Sequence, residues 1–428
     1  MNKRTLLHIS ILVTCSVNAP LTAQSTAENW KADIAVLQRE LPKRHPNAFH
    51  YYPQAAFEAD LAALTAQLDG KSDLQTGLEL QAIVAKFQDA QTRLDLTPML
   101  QQSKVIPVGM GWYAEGLFVS GTVRKFATAL GKKVLEINGL KTEEALKKMG
   151  RFFACENEEA YRKDGPQWLR FPEAMRQAGV ATNDTLALLV VDEKGQRYFI
   201  KTYPIDFKVD KTGLQPAQFT PKSPDLRWDP MKQLFSLHWL ASDSIAYLQY
   251  NACYSREMML AAGDSAGAQQ LPPFQPLVDS VITLLEQYPG ARFFFDLRFN
   301  GQGTAADGIA LAERLAAMPF LNLPNRLYIA VNRYSSGPAV EIAAGFQAKT
   351  NATLLGELPA QRPNHFADPR SFSLPKSGIQ VFYGSRPVNL LPGNPPALRL
   401  GAPVEMPFAA FRDGRDPVLD YVRKLGKG

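Results

Sequence analysis

The spacing of apolar residues divides the chain into a helical first part and a longer second part built from strands and helices. Within residues 27–88, apolar side chains recur every three or four positions, which predicts amphipathic helices. The first such run consists of Trp30, Ile34, Leu37 and Leu41. Pro42 and Pro46 are expected to break the first helix.

Between residues 105 and 205 the pattern changes to short apolar stretches separated by glycine turns. Strands are predicted at 117–120, 133–137 and 185–191, and a helix at 142–149. Four prolines, at positions 216, 221, 224 and 230, then interrupt the chain and indicate a linker or domain seam.

From residue 245 onwards, apolar strands alternate with amphipathic helices. The predicted strands are 245–250, 291–297, 326–331, 353–355 and 379–383, and the predicted helices are 274–288, 305–315 and 339–347. Such alternation predicts a mostly parallel sheet covered by helices. Ligand sites in these sheets form at the carboxyl ends of the strands.

Composition excludes several classes of protein. The 428 residues are 46% hydrophobic and 21% charged, which is ordinary for a globular protein and unlike a disordered or fibrous chain. The net charge is +6 without a dense run of lysine and arginine, so no nucleic-acid partner is expected. Three cysteines are too few for a disulfide scaffold, and Cys155 and Cys253 could be buried free thiols or a single pair.

Residues 1–23 have the features of a secretory signal peptide. Lys3 and Arg4 precede a short apolar stretch, and small and polar residues follow up to Ala23. We expect export, to the periplasm of a Gram-negative cell, with cleavage near Ala23; lipidation at Cys15 is the alternative. Polar residues interrupt the apolar stretch, so no membrane span is expected.

Two strand-to-helix junctions carry residues suited to chemistry. The first, 296–303, contains a glycine turn whose backbone amides could approach a ligand or a developing anion. The second, 331–338, places Ser335 and Ser336 before a helix, where free amides and the positive end of the helix dipole converge. A serine there could be a nucleophile beside an oxyanion hole, or only the cap of the helix.

In order along the chain, these junctions and several other segments resemble motifs of the tail-specific (C-terminal-processing) serine peptidases, in particular a secreted bacterial subgroup. The family's Asp-Leu-Arg-x-Asn-Gly-Gly-Gly is similar to 296–303, its serine element to 331–337, and its Gly-Glu to Gly356-Glu357. The subgroup's other motifs resemble His45-Pro46-Asn47, Pro363-Asn364-His365, Leu374-Pro375-Lys376-Ser377 and Asp416-Pro417-Val418-Leu419.

The resemblance implies an α+β fold with a mixed, mostly parallel sheet, the crotonase-like core of these peptidases. It also implies an N-terminal helical region at 24–104, a PDZ-like β-rich element at 105–210, a linker at 211–235 and the peptidase-like core at 236–428.

The same resemblance implies the chemistry of the site. The family hydrolyses peptide bonds, usually near the C-terminus of a chain, so the implied partner is a peptide or protein substrate, without a metal or an organic cofactor. Ser336 would be the nucleophile. The amide of Gly337, together with Gly301 or Gln302, would form the oxyanion hole.

The chain departs from the family at both positions that supply a general base. One branch uses a histidine in an Asp-Gly-His-Thr element, and Gln91 stands in its place; an amide cannot take a proton from serine near neutral pH. The other branch uses a lysine after Gly-Glu, where spacing places Arg362, whose guanidinium stays protonated. The smaller departures are Gln302 in the glycine turn, Pro338 in place of a serine, and 20 residues from Ser336 to Gly356, one more than usual.

These departures leave the function open. The chain could be a serine peptidase whose base is unidentified, if the fold brought a histidine within about 3 Å of Ser336. The candidates are His45, His50, His238 and His365. Alternatively, it is a catalytically inactive homologue that binds peptides, and an acyl hydrolase such as a thioesterase is a third alternative.

Overall fold

The computed structural model of the chain describes residues 26–206, 216–228 and 233–425. The expected signal peptide and parts of the expected linker lie outside these residues. The described chain has three regions, which are taken here in chain order.

The first region is helical, as the apolar spacing predicts. Its elements are α1 (Ala27–Arg44), α2 (Gln54–Thr65), α3 (Asp73–Ala85), β1 (Arg93–Leu94), α4 (Thr97–Leu100) and β2 (Lys104–Val105). The expected break at Pro42 is wrong, because α1 runs through Pro42 to Arg44. A proline in the last turn removes only one of the final hydrogen bonds of the helix, whereas the residue before Pro46 must be extended.

The second region is built mainly from antiparallel strands. Its elements are β3 (Val108–Tyr113), β4 (Gly116–Val123), β5 (Lys133–Ile137), β6 (Leu140–Lys141), α5 (Thr142–Met149), α6 (Glu158–Trp168), α7 (Pro172–Gln177), β7 (Leu186–Val191), β8 (Arg197–Thr202), β9 (Ile205–Asp206) and β10 (Pro216–Gln218). Seven of these strands form one sheet in the order β10-β4-β5-β7-β8, with β3 beside β4 and β6 beside β5. The strand β10 lies within the expected linker and pairs with β4.

The third region contains the alternating strands and helices. Its elements are β11 (Phe235–Leu240), β12 (Ile245–Tyr250), α8 (Arg256–Ala261), α9 (Ser265–Gln269), α10 (Gln275–Gln287), β13 (Arg292–Asp296), α11 (Ala306–Ala316), β14 (Leu327–Val331), α12 (Pro338–Lys349), β15 (Thr353–Gly356), β16 (His365–Ser373), β17 (Gln380–Val388), β18 (Ala402–Pro403), α13 (Phe408–Asp413) and α14 (Pro417–Leu425).

The six-stranded sheet of this region has the order β11-β12-β13-β14-β15-β18. All its neighbouring strands run parallel except β11, which pairs antiparallel with β12. The α+β fold with a mostly parallel sheet is therefore confirmed. Apolar side chains such as Phe293, Phe295 and Ile329 are fully buried between this sheet and its helices. This burial explains why β13 and β14 are continuously apolar.

A long hairpin, β16 and β17, connects the third region back to the first. Its strand β17 pairs with β1, and residues Leu374 and Val381 join the same hydrophobic core as Trp30 and Ile34 of α1. Asp33 of α1 accepts hydrogen bonds from the backbone N–H groups of Lys376 and Ser377, at 2.8 and 2.7 Å. The hairpin turn is thereby fixed to the first helix.

In the part of the chain that the structure describes, no helix is both long and apolar enough to span a membrane.

Candidate active site

The two predicted junctions lie side by side, because β13 and β14 are parallel neighbours whose carboxyl ends share one edge of the sheet. The backbone N–H of Ser336 donates to the carbonyl of Asn300 at 3.1 Å and joins the two turns directly. A β-carbon placed on Gly301 would lie 2.5 Å from Ser336 Oγ. Only glycine therefore lets the first turn approach the serine this closely.

The two serines of the second turn have different environments. The Ser335 hydroxyl is buried, donates to the carbonyl of Leu297 at 2.9 Å and accepts from the N–H of Asn332 at 3.0 Å. The Ser336 side chain is half-buried, and no described residue forms a hydrogen bond with its hydroxyl. Ser335 therefore stabilises the turn, whereas Ser336 presents a hydroxyl that a ligand could reach.

The amide of Gly337, expected to be an oxyanion donor, already has a partner within the chain. Gly337 has a φ of +51°, which places it just before α12 in a conformation that favours glycine. Its N–H donates to the side-chain carbonyl of Gln361, a residue that is 2% exposed. The carbonyl of Gln302 accepts from the N–H of Cys253 at 2.8 Å, which joins the glycine turn to the segment that follows β12.

A buried cluster of charged side chains stabilises the first turn. The Arg298 guanidinium pairs with Asp296 and with Asp416, each at 2.6 Å, and all three side chains are at most 1% exposed. The two carboxylates raise the pKa of Arg298, and Arg298 lowers that of Asp416 despite the burial of both groups. Asp416 also accepts from the N–H groups of Val418 and Leu419 at the start of α14. The C-terminal Asp-Pro-Val-Leu segment is thus a support for the turn that precedes the site.

The positions expected to supply a base hold residues with structural bonds. The N–H of Gln91 donates to Asp89 at 2.9 Å. The Arg362 guanidinium donates to the carbonyl of Glu156 and to the hydroxyl of Tyr51, and it lies 4.7 Å from the centre of the Tyr51 ring. A guanidinium held in this way cannot accept a proton from serine.

One buried carboxylate joins these two positions. Glu156 accepts from the N–H of Ala90 at 2.9 Å and from the N–H of Arg362 at 2.8 Å, which ties the loop carrying Gln91 to the loop carrying Arg362. Burial raises the pKa of Glu156 to about 7. Because Gln361 accepts from the N–H of Gly337 and the neighbouring Arg362 donates to Glu156, the loop at 361–362 connects the serine turn to the loop that carries Gln91.

Four histidines were candidates to replace the missing base, and within the described residues none forms a hydrogen bond with Ser336. His45 lies 3.2 Å from Asp89 and accepts from the N–H of Asn47. His238 pairs with Ser236, and His50 is exposed beside Asn47. Each of these three has a local structural role.

His365 is a buried histidine whose Nε2 has no hydrogen-bond partner among the described residues. Its Nδ1 lies 2.9 Å from the carbonyl of Pro363, so Nδ1 carries the proton, and Nε2 lies 3.9 Å from Glu341 without a hydrogen bond. Burial lowers the pKa of His365, which keeps the ring neutral. The ring has a free lone pair, but it is fully buried on β16.

Two further motifs are structural in this fold. Glu357 of the Gly-Glu pair accepts from the N–H of Met406 and lies 3.5 Å from Arg333. Asn364 accepts from the N–H groups of Leu390 and Leu391, at 2.8 and 3.0 Å. Both side chains fix loops around the site.

Cys155 and Cys253 are free thiols and do not pair. Cys253 is buried with its sulfur 3.3 Å from the side-chain oxygen of Asn300, and burial raises its pKa to about 12. Among the described residues, no group of three or more histidine, cysteine, aspartate or glutamate side chains is arranged to hold a metal ion.

Sequence reasoning missed Gln361 and Glu156. Gln361 stands next to Arg362, a position that the motif already singled out, but its contact with Gly337 depends on how the loop is folded. Glu156 lies 66 residues from Ala90 and 206 from Arg362, and no local pattern marks it.

Comparison with known proteins agrees with this architecture. No model of a known protein family matches the chain, and no curated protein does. Among solved structures, mature CPAF in complex with lactacystin is similar, with a TM-score of 0.57 and 10% identity over 94% of this chain and 98% of that one. The chain shares the fold of CPAF, and its motifs resemble those of the tail-specific peptidases.

Two other solved structures show the range of this similarity. Mature CPAF without that compound has a TM-score of 0.52 and 10% identity, over 94% of this chain and 97% of that one. The photosystem II D1 C-terminal processing protease has a TM-score of 0.40 and 10% identity over the same shares. The resemblance found in the motifs is confirmed in the fold, and at these identities the similarity concerns the fold alone.

Proposed function

We propose that this chain is an exported peptide-binding protein with a serine-peptidase fold, and that its Ser336 site binds extended peptides without turning them over. The observation that carries the proposal is the state of the two groups that acyl transfer needs. The Ser336 hydroxyl has no proton acceptor among the described residues, and the Gly337 amide is bonded to Gln361.

The chemistry of serine acylation explains why these two groups matter. The serine proton must pass to a base as the hydroxyl attacks, and the developing oxyanion must meet preorganised N–H donors. Gln91 is an amide, and Arg362 is a cation bonded to Glu156 and Tyr51. Neither can serve as the base, so binding is a better supported role than hydrolysis.

Export is part of the proposal and rests on the N-terminal sequence. Lys3, Arg4 and the apolar stretch that follows are typical of a cleaved signal peptide. N-terminal sequencing of the mature protein should therefore begin near Gln24. An intact Met1 in the cytoplasmic fraction would contradict export.

The main experiment separates binding from turnover on the same ligands. We would incubate a library of unstructured peptides with the wild type and with Ser336→Ala, measure affinity by fluorescence polarisation and follow products by mass spectrometry. The expected result is micromolar or tighter binding, similar in both proteins, with every peptide recovered intact. Cleavage that disappears in Ser336→Ala would overturn the proposal.

One observation favours a second function, slow hydrolysis with Ser336 as the nucleophile. Ser336 is half-exposed beside Gly301, so a reactive phosphonate could reach its hydroxyl. Labelling by a fluorophosphonate between pH 6 and 10 at the rate of an ordinary serine hydrolase, lost in Ser336→Ala, would support a hydrolase. Labelling that is slow or absent in folded protein would support the binding function.

A further inference from the structure

The side-chain oxygen of Gln361 lies where the carbonyl oxygen of an acyl group would bind at a serine site. Its carbonyl oxygen accepts the N–H of Gly337, the amide directly after Ser336. The carboxamide has the same carbonyl and nitrogen as a peptide bond, and Gln361 is 2% exposed. A peptide carbonyl bound at Gly337 would need this same position.

We propose that Gln361 is an internal occupant of the oxyanion position, which a peptide ligand must displace before its carbonyl can reach Gly337. The inference deepens the proposed function, because it rests on a site that binds peptides. It makes Gln361 the residue that determines whether a carbonyl, or a tetrahedral group such as a phosphonate, can bind beside Ser336.

The orientation of the carboxamide follows from hydrogen-bond chemistry. The Gly337 N–H is a donor, so the side-chain oxygen and not the nitrogen must face it. The nitrogen of the Gln361 side chain is then buried with no hydrogen-bond partner among the described residues. A buried donor without a hydrogen-bond partner raises the free energy of this arrangement. Displacing the Gln361 side chain would break its bond to Gly337 but would also remove this penalty.

The backbone on both sides of Gln361 is fixed, so displacement needs only rotation of the side chain. The N–H of Ala360 donates to the carbonyl of Arg333 at 3.2 Å. The N–H of Arg362 donates to Glu156 at 2.8 Å. The loop can therefore keep its position while the carboxamide leaves the Gly337 amide.

The test measures how fast a fluorophosphonate labels Ser336. In Gln361→Ala the Gly337 amide is free to stabilise the phosphonyl oxygen, and loss or gain of one such donor typically changes rates by about 10²–10³-fold. We expect Gln361→Ala to label at least about 10-fold faster than the wild type. The gain should vanish in the double variant Gln361→Ala, Ser336→Ala.

The matched control is Asn364→Ala, which removes a carboxamide from the same loop. Asn364 bonds to the backbone at 390–391 and not to Gly337, so its loss should loosen the loop without opening the oxyanion position. The control should label at the wild-type rate. Equal acceleration in both variants would overturn the proposal, because general loosening of the loop would explain it.

A second measurement on the wild type does not depend on a folded variant. Amide hydrogen exchange of the segment around Gly337 should show protection in the free protein, because the N–H of Gly337 is already bonded to Gln361. Rapid exchange in the free protein would contradict an internal occupant.

The outcomes keep the two proposals separable. If the wild type cleaves peptides but Gln361→Ala still accelerates labelling, the proposed function is wrong and the role of Gln361 stands. If the wild type binds peptides without cleavage and Gln361→Ala labels no faster, the binding function stands and the role of Gln361 is wrong.

Discussion

Two parts of the serine site differ in the chemical groups that they offer for acyl transfer: the turns around Ser336, and the loops that carry Gln91 and Arg362. On the nucleophile side, Ser336, Gly301 and Gly337 keep the spacing that acyl chemistry needs, and the buried Arg298 cluster fixes the turn. On the other side are Gln91 and Arg362, which stand where the motif resemblance expects a base, and both take part in hydrogen bonds that stabilise the loops.

This difference shows that the geometry of a site and its catalytic function have separate physical causes. The turn that carries Ser336 is held by ion pairs and backbone bonds that do not involve a base. The loops around Gln91 and Arg362 are joined by Glu156, which needs only two backbone N–H groups. A base can therefore be replaced without disturbing the shape of the nucleophile turn.

The strongest way to test the comparison is to restore a base. We expect Gln91→His, combined with Gln361→Ala, to raise hydrolysis of an unstructured protein substrate by about 10²–10⁴-fold, the range of general-base catalysis. An imidazole with a pKa near 6.5 is mostly neutral at pH 7 and can accept the serine proton. Rates would be compared with those of Gln361→Ala alone.

Two controls decide how that result is read. Arg362→Lys should gain less, because an amine becomes a base only if its pKa falls by several units. Activity that persists on a Ser336→Ala background would show that Ser336 is not the nucleophile.

The second prediction concerns the buried ion pairs of Arg298, which stabilise the turn on the nucleophile side. Arg298→Ala leaves Asp296 and Asp416 buried without a counterion, and it should lower the free energy of unfolding by about 3–5 kcal/mol. Urea unfolding measures this loss. The exposed pair of Arg314 and Asp279 is the control, since Arg314→Ala should cost about 0–1 kcal/mol. Equal losses would mean that the buried cluster has no special role.

The third prediction concerns the close approach of the two turns. In Gly301→Val the new β-carbon would overlap the Ser336 hydroxyl, so the serine or the turn must move. Fluorophosphonate labelling of the Gln361→Ala protein should then fall by about 10²-fold, as when one oxyanion donor is lost. An unchanged rate in folded protein would assign the turn a structural role only.

The smallest expected effect lies on the opposite side, at Glu156. Its pKa is about 7 in the folded chain and near 4.5 as an ordinary glutamate, so the folded state binds the proton more tightly. The stability that it contributes is fully present below about pH 4.5 and is lost as pH rises through about 7, by about 3 kcal/mol.

Urea unfolding of the wild type and Glu156→Gln between pH 4 and 8 isolates this contribution. Other carboxylates titrate in both proteins, so the informative quantity is the difference between the two curves. That difference should change steadily between pH 4.5 and 7 and remain level above it. A difference independent of pH would show that Glu156 titrates normally.

Sequence patterns were informative where one local property decides the structure. The strands β13 and β14 are buried on both faces and are therefore continuously apolar. The helix α10 is buried on one face and therefore has apolar residues at helical spacing. Both patterns were predictable from the sequence. The strand β16 was missed because its residues 368–371 are all exposed, so it lacks the alternation that marks a half-buried strand. Its position depends on pairing with β17 instead.

The site could be predicted only in part, for a related reason. Gly301 lies in a turn that must contain glycine, and Ser336 lies in a Ser-Ser-Gly turn before a helix, so both segments are distinctive in sequence. The contact of Gln361 with Gly337 depends on the path of a loop, and the two bonds of Glu156 join segments that are far apart in sequence. No local pattern encodes such contacts.

The bond between α1 and the β16–β17 turn has a consequence for how the chain is made. Asp33 leaves the ribosome 343 residues before Lys376, its partner. At about 5–20 residues per second, roughly 20–70 s of synthesis separate the two. During that interval the apolar face around Trp30 lacks the hairpin that completes its core. The first region of this protein therefore cannot complete its native packing before the hairpin has been synthesised.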